Sequence, residues 1–450
     1  MGLRKLHPHA IHRPRDKSLG TLELIAIALG GMVGGGIFTV LGVSVAMVGA
    51  WTPVAIILGG LLAALSAYSY IKLGVYYKDE GAAYAFFKKS FPGSHFAASL
   101  IGWWIVFGYI STLALYAFTF ASYALSGVPG GDAPFWHRLA AGGIIALFTL
   151  VNIWSVRGMG KLEDLMVYTK LVILVIISFV LINNSHTTLP TLVASGPHVS
   201  LFAVLILASL TFVAYEGFEL IINAVGEIKK PERQIPVAIY TAIFLAVLIY
   251  VVIALGAILA IPFDEIVAKK EYALAAGANT VLGNWGTELV IAGALLATSS
   301  AISGTVFGAS RQMAVVAHDG YFPAFLAQRH NRIPVPAIVT MAALAFLLIL
   351  AGNLQVILEF GSVTFLLVSL LMAVANFRIR HRTRSSLTLT LLSIAGLLTG
   401  TVLILYYEYT RQPEQLAFIL TLYALLSIGA WSYARRQRRL AKDAPQKTGP

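Results

Sequence analysis

The sequence predicts an all-α integral membrane protein with about twelve transmembrane helices. Three observations carry that reading. Hydrophobic residues make up 58% of the 450 positions and charged residues 12%, with mean hydropathy +0.81; an ordinary soluble domain carries roughly 25% charged residues. Apolar runs long enough to cross a bilayer, about 20 residues each, recur along nearly the whole chain. Lysine and arginine collect in alternate loops between those runs. Such a chain packs helix against helix in lipid instead of burying a water-soluble core.

The spans fall at 20–48, 51–77, 96–126, 137–155, 162–183, 199–228, 234–261, 286–317, 335–352, 355–377, 387–407 and 416–434. Turn signals separate several of them: Pro92-Gly93, Gly127 to Pro134, Pro190 to Pro197, Pro231 to Pro236 and Pro334 to Pro336. Of the 32 lysines and arginines, 27 lie in the two tails, the even-to-odd loops or the span ends beside them. Arg138, Lys269, Lys270 and Arg411 lie on the other side, and Lys170 lies inside a span. That asymmetry predicts a multi-pass protein of the cell (inner) membrane with both termini in the cytoplasm.

The formal net charge of +12 is spread through short loops, so no nucleic-acid partner is expected. With no cysteine, disulfides and thiolate metal sites are excluded. His7, His9 and His12 read as part of a solvated basic tail, not a metal site. No cleavable signal peptide is apparent, and no metal or cofactor is expected. Oligomeric state is not legible in the sequence.

Two spans carry breaking signals. In the first, Gly30, Gly31, Gly34, Gly35 and Gly36 place five glycines within seven residues of an apolar run. Each costs about 1 kcal/mol relative to alanine in a helix. Gly30 and Gly34 fit close helix packing, whereas the run from Gly34 to Gly36 favours an unwound segment. Unwound backbone is tolerated in a membrane only where it lines a protein cavity, and its N–H groups beside a half-helix N-terminus suit a carboxylate. The sixth span places Glu216, Gly217 and Glu219 mid-membrane. A central acid costs roughly 2.5–3.5 kcal/mol or more, so neither will face lipid; on an intact helix the two would share a face. Breaks five spans apart are the sequence pointer to an inverted-repeat transporter with its site at the midplane.

Several passages resemble the amino acid–polyamine–organocation superfamily: Gly30-x-x-x-Gly34-x-Gly36-Ile37-Phe38; Tyr215-x-Gly217-Phe218-Glu219 followed by Gly226-Glu227-Ile228-Lys229-Lys230-Pro231-Glu232-Arg233-x-Ile235-Pro236; and Ala317-x-Asp319-Gly320-x-x-Pro323. The Gly81-Ala82-Ala83-Tyr84 turn also fits. The resemblance implies the LeuT-like fold, a 5+5 inverted repeat with discontinuous helices one and six plus two peripheral helices. It divides the chain into a cytoplasmic tail 1–18, repeats at 19–184 and 199–378, peripheral helices at 386–434 and a basic tail 435–450. It also implies an amino acid or amine substrate. The substrate carboxylate would lie at Val33, Gly34, Gly35, Gly36 and Ile37, and its amino group at Phe212, Val213, Ala214, Tyr215 and Glu216. Glu216 stands where most members are apolar, which keeps cationic amino acids and polyamines open beside neutral L-amino acids.

Lys170 lies roughly 12 Å into the fifth span, deep enough to strain a snorkelling side chain. An intramembrane cation is by default a functional hypothesis. Similar proton-coupled members of the ApcT type carry a lysine here, its ammonium standing where sodium sits in relatives. The implied function is proton-coupled symport by alternating access, with Lys170, Ser299, Ser300 and Glu219 as the proton-coupling set. A substrate-gated channel or nutrient sensor on the same scaffold is the rival. An enzyme is not expected: HExxH, GxSxG and GxxxxGK[ST] are absent.

Overall fold

The computed structural model describes residues 19–443 except 80, 132, 155, 186, 196–198, 270 and 331–332. The N-terminal tail with its histidines, and residues 444–450, lie outside the described residues, as does part of the expected turn at 190–197. The described chain is helical, with two isolated β-bridges and no named strand.

Among the described residues, ten helices are long and apolar enough to cross a membrane. They account for spans two to eight and ten to twelve. The first span is divided into α1 (Thr21–Met32) and α2 (Gly35–Val48), and the ninth is the shorter α14 (Val335–Ala351). The remaining spans are α3 (Thr52–Tyr77), α5 (His95–Leu125), α6 (Pro134–Trp154), α7 (Val156–Asn183), α11 (Pro231–Ala260), α13 (Ala273–His318), α15 (Leu354–Arg378), α17 (Leu387–Arg411) and α18 (Pro413–Asp443). The sixth span is α9 (Leu201–Leu210), a tight turn at Thr211–Tyr215, and α10 (Leu220–Asn223).

Several boundaries shift from expectation for local reasons. α11 begins at Pro231, where the missing N–H costs nothing, and carries Pro236 within the helix. α13 starts well before the expected 286 and kinks at Gly283 (φ 69°, ψ −166°), a backbone that glycine adopts without strain. Short helices α4 (Ala82–Ser90), α8 (Leu189–Ser195), α12 (Phe263–Ala268) and α16 (Arg380–Thr383) occupy stretches read as loops.

The helices sort into a sheathed centre and a lipid-facing shell. Of their most apolar stretches, 83% of α15 and 78% of α5 is buried, against 17% of α18 and 28% of α6. Leu150, Phe179, Phe244 and Leu425 stand exposed on the outer helices, where acyl chains replace water.

The basic loops gather on one face. Lys72 Nζ donates to Arg384 O (3.1 Å), Lys78 pairs with Glu232 (2.6 Å), and Lys88 pairs with Asp319 (2.7 Å). Gln437 on α18 donates to Gly320 O (3.1 Å). These contacts join the end of α3 to the start of α11, and the ends of α4, α13 and α18 to one another.

Candidate functional site

The break in the first span falls at Val33 and Gly34, slightly ahead of the expected Gly34–Gly36. Gly34 N–H turns back to Met32 O (2.8 Å), and α2 resumes at Gly35. Gly34 leaves helical geometry (φ −108°, ψ −144°), and the glycine run also serves close approach. A Cβ on Gly34 would lie 2.6 Å from Ala301 Cβ, one on Gly35 2.9 Å from Tyr116 Cδ1, and one on Gly36 3.0 Å from Ala214 Cα. Gly30 is a packing glycine, its missing Cβ facing Val167 of α7 at 3.0 Å.

The sixth span leaves helical geometry after Tyr215. Glu216 is extended (φ −64°, ψ 141°) and Gly217 has φ 123°, a region that L side chains avoid. A Cβ on Gly217 would sit 2.6 Å from Gly31 C. The two breaks therefore touch backbone to backbone. Tyr250 of α11 spans them: its hydroxyl lies 2.6 Å from Met32 O and 2.9 Å from Ala214 O. With one proton it donates to one carbonyl at a time.

A cavity of about 30 Å³ opens beside this junction. It is bounded by α1, α5, α13 and the sixth span, through Gly31, Tyr109, Thr112, Tyr116, Glu216 and Thr305 among others. That volume is ample for water. The lining continues toward Asn223 and Ala309, on the side of the basic loops. The opposite side is closed: Phe38 and Tyr123 meet edge to face at 5.4 Å, and the hydroxyls of Thr39 and Thr119 are in contact.

Of the residues expected to bind substrate, Glu216 lines the cavity. Val33, Gly34, Gly35, Gly36, Ile37, Phe212, Val213, Ala214 and Tyr215 are buried around the contact of the two breaks. The Tyr215 side chain points away from the cavity and donates to Ile56 O of α3 (2.7 Å). Tyr109, Thr112 and Tyr116 were missed by the sequence reading. Their spacing of three and four puts them on one face of α5, a signal available in the sequence.

Glu216 and Glu219 do not share a helical face, because Gly217 turns the chain between them. Glu216 reaches the cavity wall near Tyr116, and Glu219 lies against Tyr70 of α3. Both are buried, and one oxygen of Glu216 and both of Glu219 have no hydrogen-bond partner.

Lys170 is fully enclosed. Its ammonium donates to Gly30 O at 2.8 Å and to Ser300 Oγ at 3.3 Å. The first acceptor exists because of the break. In a continuous helix Gly30 O would receive Gly34 N–H, but that donor has turned to Met32 O. The hydroxyl facing the ammonium is Ser300, which also lines the cavity; Ser299, its neighbour in the expected set, is only partly buried.

On the basic face, Asp319 accepts from the Tyr84 hydroxyl (2.6 Å) and the Lys88 ammonium (2.7 Å). Burial and the Asp319 charge push Tyr84 far above the ordinary tyrosine range. The Gly81–Tyr84 turn and the Asp319-Gly320 passage, distant in sequence, thus form one contact.

Comparison with known proteins adds independent findings. A family model described as amino acid permease matches residues 19–427. Inner membrane transport protein YbaT of Escherichia coli is 29% identical, over 90% of this chain and 94% of that protein. Branched-chain amino acid permease BcaP of Bacillus subtilis is 23% identical, over 78% of this chain and 79% of that one. The chloroplastic cationic amino acid transporter 7 of Arabidopsis thaliana is 24% identical, over 79% of this chain and 64% of its own.

Proposed function

Since this chain belongs to the amino acid permease family, we propose that it carries neutral L-amino acids by alternating access and couples them to protons through Lys170. On this reading it is a carrier of the cell (inner) membrane, not an enzyme, with both termini cytoplasmic. The cavity beside the breaks then opens inward.

One observation supports the coupling above all others: the Lys170 ammonium bridges Gly30 O, freed by the break, and Ser300 Oγ. A protonated lysine makes charge-assisted bonds to both, which are roughly twice as strong as neutral ones. It holds α1 against α7 and α13. The lysine surrenders its proton as the site rearranges. Neutral, it loses the charge-assisted hold, and α1 is free to move against α13. A local charge change thereby biases a two-state element. The substrate carboxylate would take the N–H groups at the start of α2, an anion-binding helix end. Its amino group would take backbone carbonyls at Phe212, Val213, Ala214, Tyr215 and Glu216.

The choice of neutral substrates rests on α5, which carries no acid, and on the small Val213 and Ala214. A second reading has its own observation: Glu216 lines the cavity with one oxygen unpartnered, which suits a cationic amino acid or polyamine. Competition assays separate the two. Strong displacement by arginine, ornithine or putrescine with none by alanine, serine or leucine selects the second reading.

Proteoliposomes test the coupling. Uptake should follow an inward proton gradient and be indifferent to exchanging sodium for potassium or choline. Lys170→Ala should remove the gradient dependence in a folded protein. Unaltered proton-driven uptake in that variant, or an absolute need for sodium, refutes the mechanism.

A further inference from the structure

The end of α18 beside the basic loops presents an exposed cationic face. Trp431, Arg435 and Arg439 are spaced by four, as are Ser432, Arg436 and Leu440, so two rows run side by side along the helix. All six are exposed and line one open groove. The Arg435 guanidinium lies 5.3 Å from the centre of the Trp431 ring. α18 holds no acid between Glu414 and Asp443. Among the described residues no carboxylate pairs with Arg435, Arg436 or Arg439, whereas Lys78, Lys88 and Lys89 on the same side are matched by Glu232, Asp319 and Asp79.

The groove continues a lipid-facing surface. One and two turns earlier on the same side of α18, Ile428 and Leu425 are 62% and 61% exposed. Apolar residues thus give way to tryptophan and then to arginine, the order in which acyl chains give way to the interface and then to headgroups. Four residues of helix rise about 6 Å, so the step from Trp431 to Arg435 matches a headgroup layer roughly 5–8 Å thick on each side of the bilayer. Three guanidiniums with no acid among them attract an anion, and a phosphate accepts their planar forks bidentately. We propose that this face binds an anionic phospholipid of the adjoining leaflet, its phosphate between Arg435, Arg436 and Arg439 and its acyl chains along Trp431, Ile428 and Leu425. A zwitterionic headgroup would bring a cation of its own into the same groove. A soluble phosphate would gain nothing from the apolar stretch.

The opposite side of the same segment grips the end of α13. Gln437 donates to Gly320 O at 3.1 Å. The Tyr433 ring lies 6.0 Å from that of Trp103 on α5, whose indole N–H donates to Tyr321 O at 2.8 Å. A Cβ on Gly429 would lie 2.7 Å from the same indole. Gly320 and Tyr321 lie just beyond α13, which lines the cavity through Ser300 and Ala309 among others. A lipid seated on the outer face therefore fixes α18 where it braces α13, and makes that brace depend on the composition of the leaflet.

Tryptophan quenching in liposomes tests this. The full chain is reconstituted in phosphatidylcholine vesicles doped with brominated phosphatidylglycerol or with brominated phosphatidylcholine, and the Trp431 signal is taken as the difference between wild type and Trp431→Phe. The phosphatidylglycerol should quench that signal at a mole fraction at least about tenfold lower than the phosphatidylcholine, and high salt should narrow the gap. Arg435→Gln, Arg436→Gln and Arg439→Gln should each cut the preference about fivefold, the contribution of one basic residue at an anionic surface. Each variant changes one exposed side chain and should fold as wild type does. No arm measures transport, so the outcome is independent of substrate and coupling. Equal quenching by the two lipids overturns the proposal, as does a preference that survives in all three variants. Relief of the phosphatidylglycerol quenching by soluble glycerophosphate would make the groove a free-anion site and overturns it too.

Discussion

Gly217→Ala perturbs the contact on which the central site is built. Gly217 has φ 123°, and holding an L side chain in such a region costs roughly 1–3 kcal/mol. The new methyl would also lie 2.6 Å from Gly31 C and 2.7 Å from Met32 N. Both are backbone atoms and cannot move aside by changing rotamer. Ordinary carbon contacts sit at about 3.5–4.0 Å, so the two broken helices must separate by about 1 Å. Overpacking of that kind costs roughly 1–3 kcal/mol. Together the terms come to about 2–6 kcal/mol, a large share of a typical stability of roughly 5–15 kcal/mol. Two comparison variants separate them. Gly93→Ala has φ 83° with nothing within 4 Å of the added atom, and so carries backbone strain alone. Gly36→Ala has no positive φ but meets Ala214 Cα at 3.0 Å, and so carries crowding alone. The assay is thermal melting of detergent-purified protein by size-exclusion fluorescence, with uptake measured on what folds. Gly217→Ala should be the most destabilised of the three and the least active. If it melts and transports like wild type, the two breaks are not in backbone contact and the proposed geometry of the central site is wrong.

Two further outcomes follow from single contacts. Tyr250→Phe removes the hydroxyl between Met32 O and Ala214 O, a net loss of about 0.5–1.5 kcal/mol; the protein should fold with KM for its amino acid raised about two- to tenfold, and an unchanged KM counts against the bridge. Glu232 is exposed, and its hydrogen bond to Lys78 holds it below the ordinary carboxylate value. Its stabilising contribution is therefore present above roughly pH 4.3 and lost as pH falls through its lowered value, and added salt should shrink it. Glu232→Gln should flatten that part of the acid limb in melting curves, and an identical limb refutes the assignment.

The class of the protein was legible before any fold was known. Runs of apolar residues, basic loops on alternate sides, and glycines in the first and sixth spans settled which segments enter lipid and which must break. Each of these is a local property: the length of an apolar run, the desolvation cost of a charge, the backbone freedom of glycine. Lys170 was legible for the same reason, because a cation in an apolar helix is anomalous wherever the helix packs. What the tertiary structure decided was direction and partnership. Only the fold set Gly31 against Gly217, released Gly30 O to Lys170, and turned Tyr215 toward α3 and away from the cavity. Glu359 and Glu408 were invisible in the sequence, since an acid near a span end can reach the interface and needs no special account. Burial makes both anomalous: Glu359 on α15 and Glu408 on α17 are each 0% exposed, and enclosure by packed helices is a property that no local pattern encodes.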